Sequence, residues 1–254
     1  MSKKATAFAL IGDRYHNSDY IRTGLNKTLV DGTGLSIDFT DEVKSLNGET
    51  LDGYRLLIVF RDAMIWPEGY GETAFPSRRG EAIPIESDPP VPERAPHKVA
   101  WMTSEQGQAV NAFVADGGAA LFYHNATYIG ETNADFRAVL GAATQGHPPV
   151  RRFKVEIINR DHPITRGIND FVVTDEQHFM TYDRDPGLVL MRSVNEDGQT
   201  YRDLGTSCEA GWAFDYGKGR VCYLAPGHLI PVLWNPEYEK IQRNAVRWLM
   251  REVD

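Results

Sequence analysis

The chain has 254 residues, of which 42% are hydrophobic and 24% are charged, and it carries a formal net charge of −8. No apolar run approaches the roughly 18 residues of a membrane-spanning helix, the N-terminal apolar run is too short for a secretory signal, and the net negative charge argues against a nucleic-acid partner. We therefore expect one cytoplasmic globular domain, residues 1–254, that binds neither membranes nor nucleic acid.

The N-terminal part of the chain predicts alternating strands and helices. Apolar runs at Ala5–Ile11, Leu35–Thr40 and Leu56–Phe60 predict strands, and Ser18 is a candidate cap for a helix after the first of them. Strands joined by such crossovers pair in parallel, so their carboxyl ends lie on one edge of a sheet. At that edge we expect Asp13, His16, Arg61 and Asp62.

The composition changes between Pro67 and Pro96, a segment that contains seven prolines. So many prolines and charges leave little apolar surface to bury, and loops of this length are often functional. We interpret the segment as an insertion that either covers the site or forms a contact in a homo-oligomer.

The middle of the chain predicts a buried strand that ends in a histidine. Thr103 and Gln106 form a potential capping box before a helix that ends at Gly117–Gly118. The apolar run Ala119–Tyr123 then predicts a strand, and His124 follows at its carboxyl end, where open α/β sheets bind ligands. A histidine there is either functional or a loop residue bonded to a neighbouring carbonyl. A short helix is expected at Thr132–Leu140, closed by Gly141.

The C-terminal half predicts antiparallel strands and a final helix. Short turns such as Tyr216–Gly219 favour antiparallel pairing, and an apolar face including Ile241 and Trp248 predicts a helix after Pro236. The predicted strands are Val150–Ile157, Phe171–Thr174, Leu188–Ser193, Trp212–Phe214 and Arg220–Leu224.

Common catalytic signatures are missing. The sequence has no Gly-x-Ser-x-Gly elbow, no phosphate-binding Gly-Lys-Ser/Thr loop, no Gly-x-Gly-x-x-Gly after the first strand and no His-Glu-x-x-His helix. What remains is a set of polar residues in loops and at strand ends: His16, Arg61, Asp62, His124, Asp175, Glu176, His178 and His228.

His228 repeats the position of His124, because it also follows a predicted strand. Neighbouring residues of a strand point to opposite faces, so at most one of Asp175 and Glu176 faces a site, and we expect that to be Glu176. Two histidines with an acid either transfer protons or bind a divalent metal such as zinc, and the spacing leaves both open.

Several motifs occur in an order that resembles a known family. They are Asp161-His162-Pro163-Ile164, Asp175-Glu176, Gly217-Lys218-Gly219-Arg220-Val221, Gly227-His228 and Asn244-Ala245-Val246-Arg247-Trp248. This succession resembles that of the ThuA-like (trehalose utilisation) proteins, and the match is best from about Ala119 to the C-terminus. The resemblance implies the fold of the class I glutamine amidotransferase-like superfamily: a flavodoxin-like, doubly wound α/β fold with a mostly parallel sheet, helices on both faces and, here, an antiparallel extension in the C-terminal half.

The resemblance also bears on the chemistry. It implies that Tyr123-His124-Asn125 lies near the position where amidotransferases carry a nucleophilic cysteine, and that Gly227-His228 lies near the position of their catalytic histidine. Because that cysteine is absent here, release of ammonia from glutamine is not expected. The family is associated with carbohydrate utilisation, which implies a hydrolase or lyase acting on a disaccharide or its 3-keto derivative.

We therefore predict a small-molecule carbohydrate as ligand. A 3-keto group acidifies the neighbouring carbon–hydrogen bond, so that a histidine or carboxylate base can start elimination of the glycosidic oxygen. The predicted catalytic residues are His124, His228 and Glu176, and the predicted substrate-binding residues are His16, Arg61, Asp62, Tyr123, Asn125 and Asp175. Two alternatives stay open: a divalent-metal-dependent sugar hydrolase or isomerase using the same pocket, and a non-catalytic sugar-binding or assembly protein.

Overall fold

The computed structural model describes residues 5–69, 74–76, 82–84, 86–90, 92, 97–198 and 200–254. The chain forms two compact units, one made of Met1–Ala63 with Met102–Asp254 and the other of Met64–Trp101. The predicted insertion Pro67–Pro96 falls in the second unit, but part of it lies outside the described residues, so its role as a cover or oligomer contact stays a prediction. None of the helices in the described ranges has the length and apolar character needed to cross a bilayer.

The strands of the described chain are numbered in sequence order. They are β1 (Ala7–Ile11), β2 (Ile37–Thr40), β3 (Leu56–Phe60), β4 (Met64–Ile65), β5 (Ala74–Pro76), β6 (Ala82–Pro84), β7 (Val99–Ala100), β8 (Ala119–Tyr123), β9 (Ala142–Gly146), β10 (Arg151–Ile157), β11 (Phe171–Asp175), β12 (Phe179–Tyr182), β13 (Val189–Val194), β14 (Ser207–Tyr216) and β15 (Gly219–Leu224). In the second unit, β4 pairs with β7 and β5 with β6.

The first unit is built on a nine-stranded sheet with the order β11-β10-β13-β14-β15-β8-β3-β1-β2. In this order, the neighbouring strands of the series β15-β8-β3-β1-β2 pair in parallel. The neighbouring strands of the series β15-β14-β13-β10-β11 pair antiparallel. The expected α/β fold with an antiparallel extension is confirmed. Because four antiparallel steps separate β11 from β15, both strands run the same way, and the carboxyl ends of β1, β3, β8, β15 and β11 meet at one edge.

The described helices are α1 (Ser18–Leu25), α2 (Asp31–Thr33), α3 (Gly48–Leu51), α4 (Ser104–Ala115), α5 (Thr127–Thr132), α6 (Ala134–Leu140) and α7 (Pro236–Leu249). The capping box expected at Thr103 and Gln106 is present at the start of α4. The cap expected at Ser18 is wrong by one residue, because the Asn17 side chain accepts the first free N–H groups of α1, from Asp19 and Tyr20.

Two further predictions are corrected by the structure. The helix expected at Thr132–Leu140 is broken at Asn133, whose extended backbone ends α5 and whose side chain caps α6 by accepting from the N–H of Phe136. The strands β9 and β12 were not predicted, and they pair with each other outside the main sheet. Both are poor in the continuous apolar pattern that marks the central strands.

The core lies around the parallel half of the sheet. All five residues of β1, of β3 and of β8 are buried, as expected for strands covered on both faces. Trp212 of β14 extends the core into the antiparallel half, since its indole donates to the carbonyl of Leu140 at 2.8 Å and stacks on Tyr223. The site at the carboxyl edge therefore stands on a rigid, fully packed base.

Candidate functional site

Polar side chains follow five of the strands that end at the carboxyl edge. They are Asp13 and His16 after β1, Arg61 and Asp62 after β3, His124 and Asn125 after β8, Glu176 and His178 after β11, and His228 after β15. The N–H of Asp62 donates to the Asp13 carboxylate at 3.1 Å, so the loops after β1 and β3 are in direct contact. The strands thus bring together residues from both ends of the chain.

Glu176 is the shared partner of four histidines. Its Oε2 atom lies 3.4 Å from Nε2 of His124 and 3.3 Å from both Nε2 of His178 and Nδ1 of His228. Its Oε1 atom lies 3.6 Å from Nδ1 of His147. As the alternation along β11 indicated, it is Glu176 rather than Asp175 that faces this edge. We call the group the histidine cluster: His16, His124, His147, His178, His228 and Glu176.

His16 joins the cluster through its second ring nitrogen. Its Nε2 lies 3.1 Å from Nδ1 of His228, and its Nδ1 lies 2.9 Å from the Asp13 carboxylate. The Asn125 amide donates to the same carboxylate at 2.6 Å and also lies 2.9 Å from His16 Nδ1. Because a carboxylate only accepts, we assign the Nδ1 proton of His16 to Asp13. Nε2 is then the lone-pair nitrogen that faces the cluster.

His124 has an unusual backbone and a fully buried side chain. Its φ of 43° lies in the left-handed region, which non-glycine residues seldom adopt and which is enriched at functional sites. Its Nδ1 lies 2.8 Å from the carbonyl of Ala225 and therefore donates to it. Its Nε2 is buried and has no hydrogen-bond partner among the described residues. The neutral ring thus turns a lone pair toward Glu176.

Burial and neighbouring charges set the protonation of the cluster. Burial opposes ionisation of Glu176, but the hydrogen bond with His178 and the other neighbouring histidines outweigh burial and lower the pKa of Glu176. Burial lowers the pKa of His178 to about 4 and that of His124 well below its ordinary value. Burial likewise lowers the pKa of His228. The result is an ionised Glu176 carboxylate beside the neutral imidazoles of His124, His178 and His228.

His16 behaves differently from its neighbours. Burial alone favours the neutral ring, but the hydrogen bond to Asp13 outweighs it and raises the pKa of His16. The pKa of Asp13 is lowered in turn: its burial raises it, and the hydrogen bond with His16 more than compensates. Asp13 and His16 therefore act as a pair at one side of the cluster.

Asp175 is turned away from the cluster. Its carboxylate is fully buried and accepts from the N–H groups of Gly227 at 2.6 Å and Leu229 at 2.9 Å. Burial raises its pKa to about 7, in spite of these hydrogen bonds. Such contacts fix the segment that carries His228, and they do not suit the sugar contact that the sequence predicted for Asp175.

The remaining predicted substrate-binding residues are also buried. Tyr123 donates to Gln242 at 3.3 Å and stacks on Phe60, which is a core position rather than a sugar contact. Asn125 holds Asp13, as described above. Arg61 donates to the carbonyl of Asp41 at 2.9 Å. Arg61 and Asp62 thus lie beside Asp13 at the border of the cluster, and their contact with a substrate stays a prediction.

His147 is the member that the sequence did not single out. Its ring stacks on that of His178, with centroids 4.9 Å apart and planes 4° apart, and its Nδ1 lies 2.9 Å from the carbonyl of Pro148. It follows β9, and because that strand was not predicted, its loop was not recognised as a strand end. The available signal was a histidine next to Gly146 and Pro148.

Comparison with known proteins gives one matching family model, ThuA (trehalose utilisation), over residues 95–249. A ThuA-like protein from Bacteroides uniformis ATCC 8492 has a similar structure, with a TM-score of 0.63, 15% identity and coverage of 98% of this chain and 93% of that one. A second ThuA-like protein, from Parabacteroides merdae ATCC 43184, has a TM-score of 0.64 and 15% identity, and the match covers 97% of this chain and 90% of that one. A beta-galactosidase from Rahnella sp. R3 has a TM-score of 0.55 and 14% identity, and the match covers 98% of this chain and 31% of that one. None of the curated proteins matches by sequence. At these identities the structures show a shared fold.

Proposed function

The chain belongs to the ThuA (trehalose utilisation) family, and from this membership together with the geometry of the histidine cluster we propose that it is an enzyme acting on a carbohydrate derivative. The observation that carries the proposal is the convergence of four histidines on the single carboxylate of Glu176 at the carboxyl edge of the sheet. Titratable groups gathered in this way, with pKa values shifted by burial and by one another, are typical of catalytic sites.

Exposure separates the cluster into a contacting and a supporting part. The side chains of His228 and His147 are 24% and 29% exposed, and that of Glu176 is 11% exposed. His124 is fully buried, so in this proposal it packs behind Glu176 and does not itself reach a sugar. This assigns His124 a positioning role where the sequence suggested a catalytic one.

The proposed reaction starts from a 3-keto sugar. His228 takes the proton from the carbon next to the ketone, and the electron pair of that bond forms an enolate. The enolate then expels the glycosidic oxygen, which takes a proton as it leaves, and a carbon–carbon double bond remains. Addition of water to this double bond completes a hydrolysis, whereas release without water makes the enzyme a lyase. Glu176, 3.3 Å from His228 Nδ1, stabilises the imidazolium that forms.

The proposal is tested by incubating the protein with trehalose and 3-keto-trehalose and following the products by NMR. Glu176→Gln and His228→Gln are expected to lower kcat/KM by roughly 100-fold or more, the usual contribution of a positioned acid or base. Glu252→Gln serves as the control for loss of a carboxylate, because Glu252 is exposed, belongs to the same unit as the cluster and is not a member of it. Thermal stabilisation by these sugars without any product overturns the proposal in favour of a binding protein.

A further inference from the structure

Four members of the histidine cluster have the arrangement of ligands around a single ion. We propose that His16, His124, His228 and Glu176 bind one divalent cation, with zinc as the metal that matches this donor set. The inference deepens the proposed function and rests on it for the use of the cation in sugar chemistry. The binding of the cation is argued, and tested, separately.

The spacing of the candidate ligand atoms is the first argument. Each of the four residues offers one ligand atom, and these atoms lie within 4.8 Å of one another. Three of the separations are 3.1 Å between His16 and His228, 3.3 Å between His228 and Glu176, and 3.4 Å between His124 and Glu176. Ligands about 2.1 Å from a tetrahedral zinc ion are about 3.4 Å apart. The observed separations therefore fit the edges of one coordination tetrahedron.

Two of the histidine rings are held by hydrogen bonds of the kind that orient metal ligands. Metal-binding histidines usually donate from the nitrogen that does not bind the metal, to a carboxylate or a backbone carbonyl. His16 donates to Asp13 and His124 donates to the carbonyl of Ala225, in each case through Nδ1. Both Nε2 lone pairs are thereby fixed toward the centre of the cluster, before any ligand binds.

The contact between His124 and Glu176 is unfavourable, and a bound cation would remove its cost. Nε2 of His124 is buried, has no hydrogen-bond partner in the part of the chain that the structure describes, and lies 3.4 Å from Oε2 of Glu176. Because the proton of this ring is on Nδ1, a lone pair faces a carboxylate oxygen, and the two repel each other. A cation between the two atoms would bind both the Nε2 lone pair and the carboxylate oxygen, and their repulsion would be removed.

The choice of residues and of metal follows from the same contacts. His147, His178 and Glu176 form a second group of possible ligands, but this group supplies three ligand atoms whereas the first supplies the four of a tetrahedral site. Three imidazoles with one carboxylate favour zinc or a similar transition metal, whereas magnesium and calcium prefer oxygen ligands. The structure thus points to the first group and to a borderline metal.

His228 differs from the other three ligands. It is the most exposed of them, and in the described part of the chain no carbonyl or carboxylate holds its second ring nitrogen. It is therefore the ligand that an incoming sugar oxygen displaces. Once displaced, it is available as the proton acceptor of the proposed reaction, while the cation polarises the ketone.

The test uses full-length protein without a histidine tag, stripped with a chelator and titrated with Zn²⁺ by calorimetry, with metal content measured after dialysis. We expect one ion per chain, and the visible bands of four-coordinate Co²⁺ when cobalt is used. His16→Gln and Glu176→Gln are expected to weaken binding at least 100-fold, and Asp13→Asn by 10- to 100-fold through loss of the orienting carboxylate. His147→Gln is the matched control and retains the ion.

Circular dichroism of each metal-free variant shows whether it is folded, so that a lost ion is not confused with a lost fold. Absence of Zn²⁺ and Co²⁺ binding by the folded wild-type protein overturns the inference, as does an equal loss in His147→Gln and His16→Gln. Turnover of 3-keto-trehalose by the chelator-treated protein at the rate of the zinc-loaded protein overturns the use of the cation in the reaction, and the proposed function survives that result. Tight binding of one ion without turnover of any sugar supports the inference and contradicts the proposed function.

Discussion

His16 and His228 meet through a 3.1 Å contact between Nε2 of one and Nδ1 of the other, although 212 positions separate them in the chain. The two residues follow β1 and β15, and the strands β3 and β8 lie between these in the sheet. The loops after the outer strands therefore reach over the inner two. Topology, rather than sequence spacing, assembles the site.

Asp175 is predicted to position His228 by holding the backbone on both sides of it. Asp175→Ala leaves the buried N–H of Gly227 and the partly buried N–H of Leu229 without their acceptor, so we expect the free energy of unfolding to fall by about 2 kcal/mol or more. Urea denaturation measures this loss. Asp175→Asn keeps one acceptor, and we expect it to fold while losing turnover at least 10-fold. Full activity in Asp175→Asn contradicts the positioning role.

Gly227 is predicted to be required for the close approach of its segment to β3 and β8. A Cβ atom at this position lies 2.8 Å from Cζ of Phe60 and 3.0 Å from Cβ of His124. Gly227→Ala is therefore expected to cost about 1–3 kcal/mol of stability and to displace His228. Gly48→Ala is the control, because its Cβ has no neighbour closer than 3.9 Å. Equal melting temperatures for the two variants rule out the proposed crowding.

Asp170 gives a pH dependence that does not involve the site. Its carboxylate accepts from the N–H of Ile157 and pairs with Lys154 and Arg160, and these contacts lower its pKa from the ordinary value of 3.8. A lowered pKa in the folded state stabilises the protein above the unfolded pKa, and the contribution disappears as the pH falls through the folded value.

Asp170→Asn is therefore expected to lower the free energy of unfolding at pH 7 by about 1 kcal/mol, since the pairs are partly exposed. The difference from the wild type is expected to shrink as the pH falls below about 4, where the unfolded carboxyl binds a proton first, and to disappear once the folded carboxyl is protonated as well. Chemical denaturation at several pH values measures it. A difference that grows on acidification contradicts the sign of the pKa shift.

The strongly apolar strands and the capped helix were predictable from the sequence. Ala119–Tyr123 and Leu56–Phe60 form the expected strands because continuous apolar runs are buried on both faces of a parallel sheet. Helix α4 begins at its capping box for a local reason that any context preserves. The pair β9 and β12 escaped prediction because small and polar residues form it, and its pairing depends on contacts distant in sequence.

The position of the site was predictable from the sequence, but the contacts among its side chains were not. Strand-end reasoning placed His124, His228 and Glu176 at one edge, because the direction of a parallel strand fixes where its last residue lies. The complete burial of Asp175 and His124 was not predicted. The Asp175 carboxylate is bound to the backbone N–H of Gly227, and the His124 side chain has no exposed surface with which to contact a sugar. That four histidines share Glu176 follows only from the folded arrangement.

The central claim is that the histidine cluster withdraws a proton from the carbon next to the ketone of a 3-keto sugar. It is tested most directly by NMR of 3-keto-trehalose incubated in D₂O with the wild-type protein and with Glu176→Gln. We predict that the wild type cleaves the sugar and places deuterium on that carbon, and that Glu176→Gln does both at least 100-fold more slowly. A wild-type protein that neither cleaves the sugar nor exchanges this hydrogen, or a variant that matches it in both, contradicts the claim.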